Sequence, residues 1–104
     1  IITELAQQAE ARLSELGYAV HVRQADGYDG WEEFAPFDGI LVTCAPDHLP
    51  PSLLAQLADD GRLVIPIGPV GDIQTLWLFE KDGADLKTIN LGDVRFVPLT
   101  RSEP

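Results

Sequence analysis

The sequence predicts an α/β fold that finishes in an antiparallel hairpin, and three observations support this prediction. Residues 40–42 form a short apolar run, Ile-Leu-Val, without alternation, which is typical of a strand buried on both faces. Apolar residues at helical spacing occur before and after that run, over residues 2–16 and 51–58. Residues 74–91 alternate in a period of two around a turn at 82–85. Helices that alternate with buried strands and lead into a hairpin indicate the α/β class.

The first part of the chain is predicted to contain a helix, a strand and a loop. The helix covers residues 2–16 and ends at Gly17, which can adopt the positive φ of a helix C-terminus. A strand follows from Tyr18 to Arg23, and residues 25–31, rich in Gly and Asp, form a loop. Residues 32–35 form a single helical turn before Pro36. The apolar face of the helix consists of Ile2, Leu5, Ala6, Ala9, Leu13 and Leu16.

The second part is organised around the apolar run, which lies in a strand near residues 38–43 at the expected centre of the sheet. Pro50 and Pro51 open the next helix, where a missing N–H costs little. The strand at 62–67 contains Pro66, which cannot donate to a ladder and should lie near the strand's end or at its edge.

The chain is expected to finish with three strands. The hairpin has strands at 74–81 and 86–91, and a last short strand is predicted at 94–97. In open α/β sheets, ligands bind outside the carboxyl ends of the strands, so the residues that follow the run 40–42 are the first place to seek a site.

Composition excludes several classes of protein. With a net charge of −10 and only 7 Lys and Arg, the chain cannot assemble a basic patch for nucleic acid. The single cysteine, Cys44, rules out an internal disulfide framework or a cysteine-based zinc site, which is compatible with the cytoplasm. No apolar run approaches the ~18 residues of a membrane span. The sequence begins inside a helical pattern without an initiator Met, so we expect it to be part of a longer protein.

Several stretches, in order along the whole chain, carry a resemblance to a known family. They are residues 26–31 (DGYDGW), 35–43 (APFDGILVT), 50–57 through Pro50, Leu53, Leu54, Gln56 and Leu57, 61–69 (GRLVIPIGP) and 94–100 (VRFVPLT). These motifs resemble the C-terminal half of protein-L-isoaspartate O-methyltransferases. The pattern departs at Ala25, where the family usually has glycine, at Cys44, where alanine is usual, and at Asp59-Asp60.

The resemblance implies a fold, a reaction and a partner. The fold would be the C-terminal part of a single Rossmann-like class I methyltransferase domain, spanning residues 1–104. The reaction would transfer a methyl group from S-adenosylmethionine to the α-carboxylate of an isoaspartyl residue in a damaged protein, as a step of protein repair. In-line displacement at a sulfonium methyl depends mainly on positioning, so no catalytic residue and no metal ligand are expected.

The resemblance also assigns site residues, each with a plainer alternative. Asp26 and Gly27 would contact the adenine of the cofactor, although Asp-Gly after a strand is also an ordinary turn. Thr43 would lie beside the methyl donor, and Cys44, Ala45 and Pro46 beside the substrate, although these residues also suit a plain strand-to-helix connection. The substrate peptide would also meet Phe96 and Val97, which could equally be core residues. His48 is interpreted as a surface residue, and Trp31 and Trp77 as packing residues.

The family's glycine-rich cofactor loop, its acidic ribose-binding residue and its Ser- and His-containing substrate loop do not occur in this sequence. We therefore expect the 104 residues alone to be inactive. We also expect either self-association through the strand 18–23 and the open face of the first helix, or the presence of the missing half beside these surfaces. Two rival hypotheses stand beside the enzyme. One is a non-catalytic α/β binding or packing module of the same fold, and the other is a methyltransferase acting on a small molecule. The motif at 95–99 argues against the second rival.

Overall fold

The computed structural model describes residues 2–69 and 71–101. Its contacts divide the chain into two units. One contains the described residues up to Gly27 together with Thr100 and Arg101, and the other is Tyr28–Leu99. Among the described residues, no helix has the length and apolar character needed to cross a membrane.

The first unit is built around helix α1, Thr3–Glu15, which confirms the predicted first helix. Gly17 has a φ of +85° and ends the helix as predicted. The Gly17 N–H donates to the Ser14 carbonyl and the Tyr18 N–H donates to the Leu13 carbonyl, the two bonds of a Schellman motif. No residue of α1 is buried, and Leu5 is 57% exposed, so the apolar face lies open within this unit.

The predicted strand from Tyr18 to Arg23 is wrong. Residues 18–24 form no ladder, and Tyr18 and Val20 are 62% and 56% exposed. A strand needs a ladder of backbone hydrogen bonds to a neighbouring strand, and none of the four strands of the described sheet forms such a ladder with this segment.

The second unit contains a four-stranded mixed sheet with strands in the order of the sequence. The strands are β1, Phe37–Leu41; β2, Leu57–Ile67; β3, Gln74–Asp82; and β4, Asp85–Val94. β1 and β2 are parallel, with Ile40 opposite Leu63, whereas β3 and β4 are antiparallel additions. The predicted hairpin turn is confirmed, because Asp82 pairs with Asp85 and Gly83 has a φ of +58°.

The core lies on one face of this sheet under helix α2, Pro51–Ala55. Leu63 and Ile65 of β2 have no exposed area, and Phe79 of β3 is 7% exposed. Leu53 of α2 and Leu57 complete the cluster, and the half-buried Trp77 packs against it, as expected of a packing residue. Pro66 lies beyond the last residue that β2 pairs with β1, next to the strand's end, as predicted.

Three further details correct the sequence prediction. Within the part of the chain that the structure describes, β1 pairs only with β2, so it is an edge of this sheet rather than its centre, and Leu41 is 72% exposed rather than buried. Helix α2 ends at Ala55 instead of residue 58, because Leu57 pairs with Phe37 and begins β2. The predicted strand at 94–97 does not form as such: β4 ends at Val94, and the chain continues without a regular ladder.

Candidate functional site

The segment after β1 meets the segment after β4 at one end of the sheet. The Ala45 N–H donates to the Val97 carbonyl at 2.6 Å, and the Leu99 N–H donates to the Ala45 carbonyl at 3.0 Å. These two bonds form an isolated parallel bridge between Ala45 and Pro98. We call this pairing of residues 43–46 with residues 96–99 the junction. It lies at the carboxyl end of β1, where α/β sheets bind ligands.

A third contact holds the junction from the side of β2. The Gly68 N–H, directly after β2, donates to the Pro46 carbonyl at 3.0 Å. Ala45 is 3% exposed and Pro46 is buried, so both side chains are part of the scaffold. A ligand at the junction would therefore meet the side chains beside them and not those of Ala45 and Pro46.

The accessible side chains of the junction come from both segments. Val97 is 69% exposed and Phe96 is 36% exposed, so neither belongs to the core formed by the described residues. Thr43 is exposed and Cys44 is half-buried on the other segment. The structure thus brings together the residues that the resemblance assigned separately to the donor and substrate sides, and their roles remain predictions.

Burial is the dominant influence on the chemistry of Cys44. Partial removal from water disfavours the thiolate and raises the pKa of the Cys44 thiol. At neutral pH the side chain is therefore a neutral thiol that packs as a small apolar group. A nucleophilic cysteine needs a lowered pKa, so the neutral thiol of Cys44 favours a role in packing against a ligand rather than in attacking one.

A buried glutamine fixes the second segment of the junction, and sequence reasoning did not find it. Gln74, the first residue of β3, is 2% exposed. Its Oε1 accepts a hydrogen bond from the Phe96 N–H at 2.6 Å, and its Nε2 donates to the Phe96 carbonyl at 3.2 Å. The available signal was a polar residue at an inward position of an alternating strand.

Residues of the loop after β1 also contact the turn near residue 28. The Tyr28 hydroxyl lies 2.6 Å from His48 Nε2, and His48 Nδ1 lies 2.5 Å from Asp47 Oδ1. In the tautomer that carries its proton on Nδ1, the ring donates to the Asp47 carboxylate and accepts from the Tyr28 hydroxyl at Nε2. The His48 side chain is 53% exposed, in agreement with its interpretation as a surface residue. Sequence reasoning missed the Tyr28 contact because it spans 20 residues.

The predicted adenine pair belongs to the first unit. Asp26 is half-buried. Gly27 is not among the glycines with positive φ, and a Cβ added there would meet no atom within 4 Å. Neither its backbone conformation nor the packing of the described residues therefore requires a glycine at this position. The adenine contact of Asp26 and Gly27 therefore stays a prediction.

A parallel strand pair extended by an antiparallel hairpin is consistent with part of a Rossmann-like methyltransferase sheet. The model of the family "Protein-L-isoaspartate(D-aspartate) O-methyltransferase (PCMT)" matches residues 1–104. The chain therefore belongs to the protein-L-isoaspartate O-methyltransferase family, which confirms the resemblance found in the sequence.

Individual relatives agree with this assignment. The chain is 54% identical over 100 residues to a protein-L-isoaspartate O-methyltransferase of Picosynechococcus sp., covering 95% of the chain and 44% of the relative. It is 50% identical over 105 residues to that of Opitutus terrae, covering 100% of the chain and 45% of the relative. The chain thus spans about half the length, or slightly less, of the curated relatives it matches.

Two solved structures support the fold. A protein-L-isoaspartate O-methyltransferase superposes with a TM-score of 0.84 at 30% identity, covering 93% of this chain and 31% of that one. A second structure, from Plasmodium falciparum, has a TM-score of 0.77 at 24% identity, covering 97% of this chain and 50% of that one. At this lower identity, the second likeness is evidence for the fold alone.

The raised pKa of Cys44 leads to a prediction about its reactivity. Because less thiolate is present at a given pH, Cys44 should be alkylated more slowly than free cysteine at neutral pH. The midpoint of its rate against pH should lie above the ordinary value of about 8.5. Iodoacetamide kinetics measure this directly, since the chain has a single cysteine. Unfolding in guanidinium should restore the ordinary midpoint, and a folded midpoint below about 8.5 would contradict the account.

Proposed function

We propose that the protein containing this chain methylates isoaspartyl residues in damaged proteins, with S-adenosylmethionine as the methyl donor. The family match over the whole chain is the observation that carries this proposal. The junction supports it, because two segments of the matched region form one partly exposed surface at the carboxyl end of β1. We also propose that residues 1–104 are the C-terminal part of a single methyltransferase domain.

S-adenosylmethionine would supply an electrophilic methyl group on sulfur, which a carboxylate oxygen of the substrate displaces in line. The α-carboxylate is already ionised at neutral pH, so the chain needs no general base for this displacement. What it must provide is placement of the carboxylate and exclusion of water. We therefore assign no catalytic residue within these 104 residues.

The chain's own residues divide between two tasks in this proposal. In the first unit, Asp26 accepts a hydrogen bond from the adenine amino group while Gly27 leaves room for the ring. At the junction, Thr43 lies on the donor side, and the substrate peptide lies along Cys44 and the exposed side chains of Phe96 and Val97. Ala45 and Pro46 contribute by shaping this surface, since both are buried and their carbonyls are bonded within the protein.

The partner in this proposal is any protein or peptide that contains an isoaspartyl residue. Damaged sites occur in many sequence contexts, so a short exposed platform suits them better than a deep specific pocket. The cytoplasmic location remains a prediction that rests on the single cysteine.

Methyl transfer to a synthetic isoaspartyl peptide tests the proposed function. The intact protein should form a base-labile methyl ester on that peptide, and none on the matched peptide with normal aspartate.

The isolated 104-residue chain should form no ester, because the resemblance places the glycine loop and the ribose carboxylate outside it. Its open α1 face and β1 edge should make it associate in sedimentation experiments as its concentration rises.

Two outcomes would contradict this proposal. An intact protein that gives no ester would favour the non-catalytic module of the same fold. Ester formation by the isolated chain would show that the cofactor contacts of the family's other half are dispensable.

Asp26 provides a test of the cofactor site. In the intact protein, Asp26→Ala should weaken S-adenosylmethionine binding by about 1–3 kcal/mol, since a hydrogen bond to a buried ring amine is lost. Isothermal titration calorimetry measures the affinity, and thermal unfolding checks that the fold is retained. Asp29→Ala is the matched control, because Asp29 lies in the same loop with an exposed side chain. Unchanged affinity in Asp26→Ala would leave Asp26 as a turn residue.

A further inference from the structure

We propose that Gln74 is a positioning residue for substrate binding, because its side-chain amide sets the height and register of Phe96 and Val97 at the junction. The inference rests on the proposed function, in which the peptide lies along these two residues. Gln74 lies where the regular sheet ends. Gln74 is paired through its backbone with Val94, and this is the last pair of the β3–β4 ladder.

The backbone of β3 cannot continue that ladder past Val94. The residue before Gln74 is Ile73, and its N–H donates to Asp72 Oδ1 at 2.7 Å within the preceding loop. The segment after Val94 therefore needs another partner if it is to remain in place. Without one, Val97 and Leu99 would still be bonded to Ala45, but the residues between Val94 and Val97 would lack a neighbour on the side of β3.

The Gln74 side chain supplies that partner. Its amide carries a donor and an acceptor on one planar group, so it can do what a neighbouring peptide unit does in a ladder. It binds both backbone groups of Phe96, the N–H at 2.6 Å and the carbonyl at 3.2 Å. Glutamate lacks the donor, asparagine is one methylene shorter, and methionine lacks both polar groups.

The surroundings of Gln74 leave it little freedom. The residue is 2% exposed, so a broken hydrogen bond could not be replaced by one to bulk water. A Cβ added at Gly68 would lie 2.8 Å from Gln74 Cγ, so this glycine lets β3 and its side chain approach closely. Gly68 also donates to the Pro46 carbonyl, which places Gln74 next to both segments of the junction.

By holding the backbone of Phe96, Gln74 also restricts the position of the exposed side chains of Phe96 and Val97. Phe96 is clasped by the amide, and the next carbonyl, that of Val97, accepts from the Ala45 N–H. Fixing Phe96 therefore fixes where Val97 meets Ala45 and how far both side chains stand out. Gln74 touches no substrate itself, so its effect on the reaction would be exerted through these residues.

A second buried glutamine provides a matched control. Gln56 is 8% exposed, accepts from the Trp31 N–H at 2.8 Å and donates to the Asp29 carbonyl at 3.0 Å. It also makes two hydrogen bonds, to the loop 25–31, which is not part of the junction but carries the proposed adenine pair. The two variants are therefore compared through the peptide KM at saturating S-adenosylmethionine. Gln56→Met and Gln74→Met should therefore lower the melting temperature by comparable amounts.

The two variants should differ in their kinetics in the intact protein. Gln74→Met should raise KM for a short isoaspartyl peptide by roughly tenfold, as expected for the loss of buried hydrogen bonds that hold a binding surface. Its KM for S-adenosylmethionine should stay within about twofold of the wild-type value. Gln56→Met should leave the peptide KM within about twofold. Hydrogen exchange at the Phe96 and Ala45 amides should accelerate in Gln74→Met and not in Gln56→Met.

Each outcome decides between the proposal and its alternatives. An active wild type whose Gln74→Met variant keeps its peptide KM would overturn the role of Gln74 and leave the proposed function standing. Equal rises in peptide KM for both variants would show a general loss of stability and would also overturn it. If Gln74→Met does not fold, Gln74→Glu, which keeps the acceptor for the Phe96 N–H, is judged by the same criteria. An inactive wild type would instead overturn the proposed function, and this inference with it.

Discussion

The burial of β2 is the constraint on which the second unit depends. Leu63 and Ile65 have no exposed area, and the strand that carries them is paired on both sides. On one side it holds the parallel strand β1, and on the other it holds the antiparallel hairpin. β1 and β4 are the two edge strands of this sheet and run in the same direction, so both end at the same end of the sheet, where the segments that follow them meet. If β2 were not buried and paired on both sides, the segments 43–46 and 96–99 would not be held together at the junction.

The junction then combines a rigid base with an exposed surface. Ala45 and Pro46 are buried and bonded to Val97, Leu99 and Gly68, so the base cannot shift without breaking backbone hydrogen bonds. Phe96 and Val97 stand out from that base. Reactions that need positioning more than acid–base chemistry benefit from such a surface, since its geometry is already set before the substrate arrives.

Local patterns in the sequence predicted those elements whose determinants are local. Gly17 ends α1, the turn at 82–85 closes the hairpin, and Pro66 lies near the end of β2, all as expected. The prediction of a strand at 18–23 was wrong. Alternating apolar and polar residues show that a segment can form a strand, but not that a neighbouring strand is present to pair with it. Leu57 fits both the helical period and a strand, so the end of α2 could not be read from periodicity.

The candidate site shows the same division. The resemblance identified Ala45 and Val97, and the structure places them in direct hydrogen-bond contact. It did not identify Gln74, because a polar residue at an inward strand position does not reveal which backbone groups its side chain binds. The contact between Tyr28 and His48 was missed for a related reason, since it joins two loops far apart in the chain. Long-range polar contacts are thus the part of this site that required coordinates.

The central claim is that the junction is the surface that receives the damaged peptide. It is tested most directly by NMR titration of the intact, isotope-labelled protein with an isoaspartyl peptide, in the presence of S-adenosylhomocysteine to prevent turnover. The account predicts that the amide signals of residues 43–48 and 96–99 shift, while those of the distant hairpin turn at 82–85 do not. Shifts confined to residues outside the junction, or equal shifts with the matched aspartyl peptide, would contradict it.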